Sequence, residues 1–177
     1  RAAFNIASAG LDAYITIVRQ KLRGLLPGNS YRLIADAGVL LYEHLEKLGD
    51  AQVTVETDQD ELGEIFGRVM LLAFGASGNR TYGNHMRVLP GEDNLCVISH
   101  TGLFGKLRLK GLFYRGAHVA QEQTTMYRAR RADIRYGRRM AVQFDGEPLW
   151  IQPNEFPVRF TRMDNVIPLV APARVAD

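Results

Sequence analysis

Every residue from Val69 to Phe74 is apolar, framed by Arg68 on one side and by Gly75 and Ala76 on the other. Side chains of a strand point alternately to its two faces, so a strand here has no face to offer to water. It reads as a central strand, buried on both sides. The run is far short of the roughly 18 residues that a membrane-spanning helix needs, and no other apolar stretch comes nearer.

The segments around it suit the same architecture. Ala3 to Ser8 alternates weakly and reads as a short strand ending at Gly10. Tyr14, Ile15, Val18 and Leu22 recur at helical spacing, which predicts a helix from Leu11 to Leu22. Pro27-Gly28-Asn29-Ser30 is a break, and Asn29 or Ser30 is placed to cap a second helix. That helix carries the stripe Tyr31, Ile34, Gly38, Leu41, Leu45 and Leu48 and stops at Gly49. Val53 and Val55 then alternate with polar residues, and Asp58-Gln59-Asp60 reads as a hairpin turn. Gly75 to Asn84 is a turn-rich loop, Leu95 to Ser99 a strand, and Leu103 to Tyr114 a short basic amphipathic helix. Four further strands are expected, at Thr124 to Tyr136, Met140 to Phe144, Phe156 to Phe160 and Val166 to Val170. Two or three helices amid eight or so mostly non-parallel strands make an α+β, β-dominated domain.

Composition narrows the class further. With 177 residues, 46% hydrophobic and 23% charged, the chain is neither a disordered tail, a collagenous repeat nor a disulfide-stapled miniprotein. One cysteine, Cys96, excludes an internal disulfide, and its place between Leu95 and Val97 suits a small buried side chain. The formal charge of +3 is mildly basic and does not itself point to nucleic acid. The first residue is Arg, not Met, and the chain reads as a piece of something longer.

Few local motifs point to chemistry. His44, His85, His100 and His118 show no zinc spacing; His44 reads as a surface residue, and His85 falls in the glycine-rich loop. Tyr127 to Arg139 contains six arginines and two tyrosines. They could grip phosphates, or they could be the charged outer face of one strand. The helix bearing Lys106, Arg108, Lys110 and Arg115 beside Leu103, Phe104, Leu107, Leu112 and Phe113 suits an anionic membrane as well as an ordinary sheet-packed helix. Asp145-Gly146-Glu147 follows a strand, so it could project a carboxylate as a base or metal ligand, or it could be a plain hairpin turn.

The ordered segments resemble the C-terminal domain of the bacterial diacylglycerol kinase and lipid kinase family, relatives of sphingosine and ceramide kinases. The residues that carry the likeness are Phe4 to Ala13, Leu26 to Tyr31, the loop Gly75 to Pro90 with Asn79, Tyr82, Gly83 and Met86, then Gly116 to Val119 and Ala129-Arg130. Val142 to Leu149, with its D-G-E-P-L core, looks like the most diagnostic motif, and Val166 to Pro172 resembles the closing strand.

The resemblance implies that residues 1–177 form a single C-terminal, substrate-side domain, an antiparallel β-sandwich with two or three helices. The family's nucleotide-binding domain carries G-G-D-G-T, which does not occur in this chain. The implied function is ATP-dependent phosphorylation of a hydroxyl of diacylglycerol or a similar lipid, with ATP and Mg2+ as cofactors of the full-length enzyme. The alternative is a non-catalytic lipid- or nucleotide-binding module on the same sandwich. By resemblance, Glu147 is the base that activates the lipid hydroxyl and Asp145 its supporting carboxylate. Asp12, Asn79, Tyr82 and His85 are the implied cleft residues. Asp93 is the implied ligand of a structural magnesium, in a Pro90 to Leu95 loop that is shorter than the family's and has Asn94 where the family has glycine. Gly83-Asn84-His85 replaces the family's run of glycines. The implied partners are a lipid at the inner membrane surface, where a cytoplasmic protein would bind peripherally, and the protein's own N-terminal domain. Nucleic acid is not among them, and the oligomeric state stays open, a homodimer included. The chain alone is expected neither to bind ATP tightly nor to phosphorylate a lipid.

Overall fold

The computed structural model describes residues 1–23, 25, 42, 46, 48–82 and 85–164. The strands in chain order are β1 (Ile6–Gly10), β2 (Ala51–Thr57), β3 (Leu62–Gly67), β4 (Val69–Gly75), β5 (Leu95–Ser99), β6 (Thr124–Tyr127), β7 (Ala129–Tyr136), β8 (Met140–Phe144), β9 (Glu147–Ile151) and β10 (Val158–Thr161). Two helices are described in full, α1 (Leu11–Arg23) and α2 (Leu103–Arg115). The expected turn at Pro27 to Ser30, the stripe positions Tyr31, Ile34, Gly38, Leu41 and Leu45, His44, Gly83, Asn84 and the closing strand Val166 to Val170 lie outside the described residues. Tyr42 and Glu46, within the expected second helix, are helical.

The strands form two antiparallel sheets, one of six in the order β6-β5-β4-β1-β8-β9 and one of four in the order β10-β7-β2-β3. The β-dominated α+β sandwich expected from the sequence is therefore the fold. β4 is buried along its whole length and sits between β5 and β1. Val69, Leu72 and Phe74 enter the core between the sheets, with Val53, Val55, Ile134 and Phe160 of the four-stranded sheet. Met70, Leu71 and Ala73 face the other way, into a second core with Leu11, Leu109 and Ile98. An irregularity between Val69 and Leu71 in the pairing with β5 lets two consecutive residues share that outer face.

One strand expectation is corrected. Thr124 to Tyr136 is two strands, because β6 pairs with β5 in one sheet while β7 pairs with β2 in the other. The chain changes sheets at Arg128. Buried Asn94 holds this crossing: its Nδ2 donates to Gly75 O at 3.1 Å and Ala129 O at 2.9 Å, and its Oδ1 accepts from Ala129 N at 2.7 Å. The hairpin turn read at Asp145-Gly146-Glu147 leads into β9, whose second residue is Pro148. As the outer strand of its sheet β9 tolerates a proline.

Three of the six arginines of the stretch, Arg128, Arg130 and Arg131, belong to an ion-pair lattice. Arg130 pairs with Glu56 and with Asp60, Arg131 with Glu56 and Asp133, and Arg159 with Asp133. Arg128 meets Asp58 and Glu92. Carboxylates that neutralise these arginines compete with phosphates for them, so oligonucleotide affinity should be weak and vanish by physiological salt. Fluorescence anisotropy with a labelled oligonucleotide across a salt series checks this, and submicromolar binding at physiological ionic strength would contradict it.

Candidate functional site

β1 runs into α1 without a loop. The junction residue, Gly10, has φ +87°, and a Cβ there would lie 2.4 Å from Met70 O, so only glycine makes the turn. The turn puts Asp12 in the first helical turn of α1, where the helix N-terminus favours a negative charge. The Asp12 carboxylate accepts from Ser8 Oγ at 2.7 Å and from Gln143 Nε2 at 3.1 Å. Gln143 Nε2 also donates to Ser8 Oγ at 2.9 Å, while Gln143 Oε1 accepts from Gly146 N at 2.5 Å. One buried carboxamide thus ties Asp12 to the turn that precedes Glu147.

Asp12 borders a cavity of about 130 Å³ under α2, lined by Leu71, Ile98, Leu109 and Phe113, with Arg19, Lys106 and Lys110 also reaching it. That is the size of an apolar cavity that holds a benzene-sized group. Burial raises the Asp12 carboxyl above its ordinary value; the hydrogen bonds from Ser8 and Gln143 and the Arg19 charge oppose the rise without cancelling it. The Tyr82 hydroxyl is buried beside Asp12 yet makes no hydrogen bond of regular geometry. Burial first, and the Asp12 charge second, push that hydroxyl well above the usual tyrosine range.

A carboxyl that holds its proton more tightly in the folded chain than in the unfolded one weakens the fold once pH exceeds its ordinary value of 3.8. The penalty grows until pH passes the folded value. Asp12→Asn keeps an acceptor for Ser8 and Gln143 without the charge, so it should melt higher than the parent at neutral pH. The gap should close as pH falls toward 4. Thermal melts of both proteins across pH test this, and a variant that melts lower throughout would contradict it.

The other expected residues are placed differently. Asp145 and Gly146 form a two-residue hairpin loop with φ +50° and +91°, between Phe144 and Glu147, which face each other across β8 and β9. The Asp145 carboxylate accepts from Phe4 N at 2.5 Å, Asn5 N at 3.0 Å and Ile6 N at 2.9 Å. It therefore clamps the start of β1 and fixes the hairpin that carries Glu147. Glu147 is exposed and, among the described residues, takes no hydrogen bond or ion pair. Paired residues share a face. Glu147 therefore lies on the Phe144 side, toward the second sheet, and Gln143 on the α1 side with Asp12. Asn79 and His85 sit exposed in the loop after β4, with φ +55° and +60°, and neither bonds Asp12 or Tyr82. Of the four expected cleft residues, the structure brings together Asp12 and Tyr82.

Asp93 borders a polar cavity of about 450 Å³ beside Asp58, Glu61 and Arg128. No three His, Cys, Asp or Glu side chains converge there or elsewhere among the described residues. Asp58 is already held by Arg128 at 3.2 Å and Arg162 at 3.0 Å. Magnesium is usually held by one or two carboxylates and several waters, and with Asp58 engaged by two arginines, Asp93 is the carboxylate of the expected loop at this cavity.

Ser8 and Gln143 were missed at sequence level. Both are polar residues inside strands that are otherwise apolar, Ala7-Ser8-Ala9 and Val142-Gln143-Phe144, and that interruption is the signal they give.

No protein-family model and no curated protein matches the chain. Three solved structures from Bacillus anthracis str. Sterne are similar in fold. One, a diacylglycerol kinase, is 11% identical with a TM-score of 0.40 over 85% of this chain and 44% of its own. Another, named provisionally as a diacylglycerol kinase, is 13% identical with a TM-score of 0.42 over 85% and 48%. A third, also named provisionally so, is 11% identical with a TM-score of 0.43 over 93% and 55%. The chain spans about half the length of these proteins.

Proposed function

We propose that this chain is the substrate-side domain of an ATP-dependent kinase that phosphorylates a hydroxyl of diacylglycerol or a similar lipid. The observation that carries the reading is a largely apolar cavity bordered by a buried carboxyl with a raised pKa, joined through Gln143 to the Glu147 turn. The ordered sequence motifs support it as well. In this reading the cavity beside Asp12 takes a short stretch of acyl chain. Glu147, open to solvent at the end of the sheet, takes the proton of the attacking hydroxyl. The hydroxyl oxygen then bonds the γ-phosphorus of Mg-ATP, which is held outside this chain, and ADP leaves. Phosphoryl transfer asks mainly for a positioned nucleophile and neutralised phosphate charge, and a carboxylate base adds typically a hundredfold or more.

The rival is a lipid-binding module without catalysis. Glu147 favours it, because its face of the sheet is opposite to that of Asp12 and the cavity. The two readings separate when this chain, joined to a G-G-D-G-T domain, is given radiolabelled Mg-ATP and dioctanoylglycerol. Label in the lipid supports the kinase. Binding of dioctanoylglycerol with no label transferred to any lipid alcohol would leave the binding module.

A further inference from the structure

Helix α2 is turned inside out. Lys106 is 6% exposed and faces the domain with Leu109, whereas Phe104 is 84% exposed, Leu107 51%, Leu103 49% and Tyr114 47%. At 100° per residue, Leu103, Phe104, Leu107, Gly111 and Tyr114 fall on one outward stripe. Arg108 and Arg115 flank the stripe on one side and Lys110 on the other. The helix contains no Asp or Glu, and among the described residues Arg108 and Arg115 meet no carboxylate.

We propose that this outward face of α2 seats the protein on an anionic lipid bilayer. A stripe of Leu and Phe with cations along both edges is the chemistry of a helix lying in the membrane interface, where apolar side chains enter the acyl boundary and cations meet lipid phosphates. Tyr114 suits the headgroup level. The edge charge selects this occupant, since Arg108 and Arg115 are exposed and meet no carboxylate among the described residues. The same helix roofs the cavity: Leu109 and Phe113 line it, and Lys106, Lys110 and Tyr114 also border it. A lipid drawn from a bilayer under α2 therefore has a short path to Asp12. The proposal extends the lipid-kinase reading by naming its docking face, and vesicle binding reads it out without ATP.

The test is co-sedimentation of the 177-residue chain with vesicles that are about one-third phosphatidylglycerol in phosphatidylcholine. Binding is expected, weaker by about tenfold or more on pure phosphatidylcholine. The double variant Phe104→Ser, Leu107→Ser should lose about tenfold or more in partitioning. Arg108→Gln with Arg115→Gln should lose a similar factor on anionic vesicles alone. All four positions are exposed, so the variants should melt like the parent, and melts confirm that. No sedimentation with anionic vesicles would overturn the proposal, as would binding that the Phe104, Leu107 variant leaves unchanged. A dimer seen by analytical ultracentrifugation and abolished by that variant would overturn it too, assigning the face to a second copy. Failure to bind vesicles, with label still transferred to dioctanoylglycerol in micelles, would remove the docking face and leave the kinase reading standing.

Discussion

Glu147→Gln is expected to melt where the parent does and to lower phosphate transfer about a hundredfold, the usual loss for a general base. The structure makes this a clean comparison. Glu147 is exposed and has no partner among the described residues, so Gln replaces it with a stability change within about 0.5 kcal/mol. Gln keeps the shape and removes the proton acceptor, so the loss should fall on kcat and leave the apparent lipid affinity nearly unchanged. Asp145→Asn should behave in the opposite way. It replaces one of the two carboxylate oxygens by NH2, so Phe4 N, or Asn5 N and Ile6 N, loses its acceptor at a cost of about 1–3 kcal/mol, while each folded molecule turns over within a few-fold of the parent. The measurement is turnover on diacylglycerol micelles beside a thermal melt of each variant, with this chain joined to a G-G-D-G-T domain. Parental rates from folded Glu147→Gln would reduce Asp145-Gly146-Glu147 to a plain hairpin.

The largest stability effect is expected at Asn94. Its side chain makes three buried hydrogen bonds, two to carbonyl oxygens of Gly75 and Ala129 and one from Ala129 N. Asn94→Ala strands those backbone groups without water, at about 1–3 kcal/mol for each one left unmade. A loss of about 4 kcal/mol lowers the melting temperature by about 10 °C in a domain of this size. Asn94→Asp should be worse still, because a carboxylate would face the two carbonyl oxygens where Nδ2 now donates. A calorimetric melt that moves by less than about 2 °C for Asn94→Ala would show that the crossing is held elsewhere.

The sequence told more about layers than about seams. Apolar runs such as Val69 to Phe74 and alternations such as Val53 and Val55 report burial directly, and their strands fall where burial places them. The switch at Arg128 left no such mark. β6 and β7 are both β-type, and only a tertiary hydrogen-bonding residue, Asn94, separates them. β9 carries Pro148, which a central strand excludes and an edge strand allows, and strand position is not local information. At the site, Asp12 and Tyr82 came from motif likeness, and nothing near either in sequence announces the other. Ser8, Gln143 and Asp12 meet because Gly10 folds α1 back over β1 beside β8. α2 shows the reverse case: its composition was plain, yet which of its faces is wet depends on Lys106 pointing inward.

The orientation of Gln143 has a consequence for proton traffic. Gly146 N–H needs an oxygen, so Oε1 is pinned to the turn at 2.5 Å and Nε2 is left facing Ser8 and Asp12. A carboxamide held in this way donates at one end and accepts at the other, but it does not hand a proton through. The contact that joins Asp12 mechanically to the Glu147 turn therefore insulates the two acids chemically. Asp12 exchanges its proton by way of the cavity, and its ionisation should keep its midpoint when Glu147 is replaced by its amide.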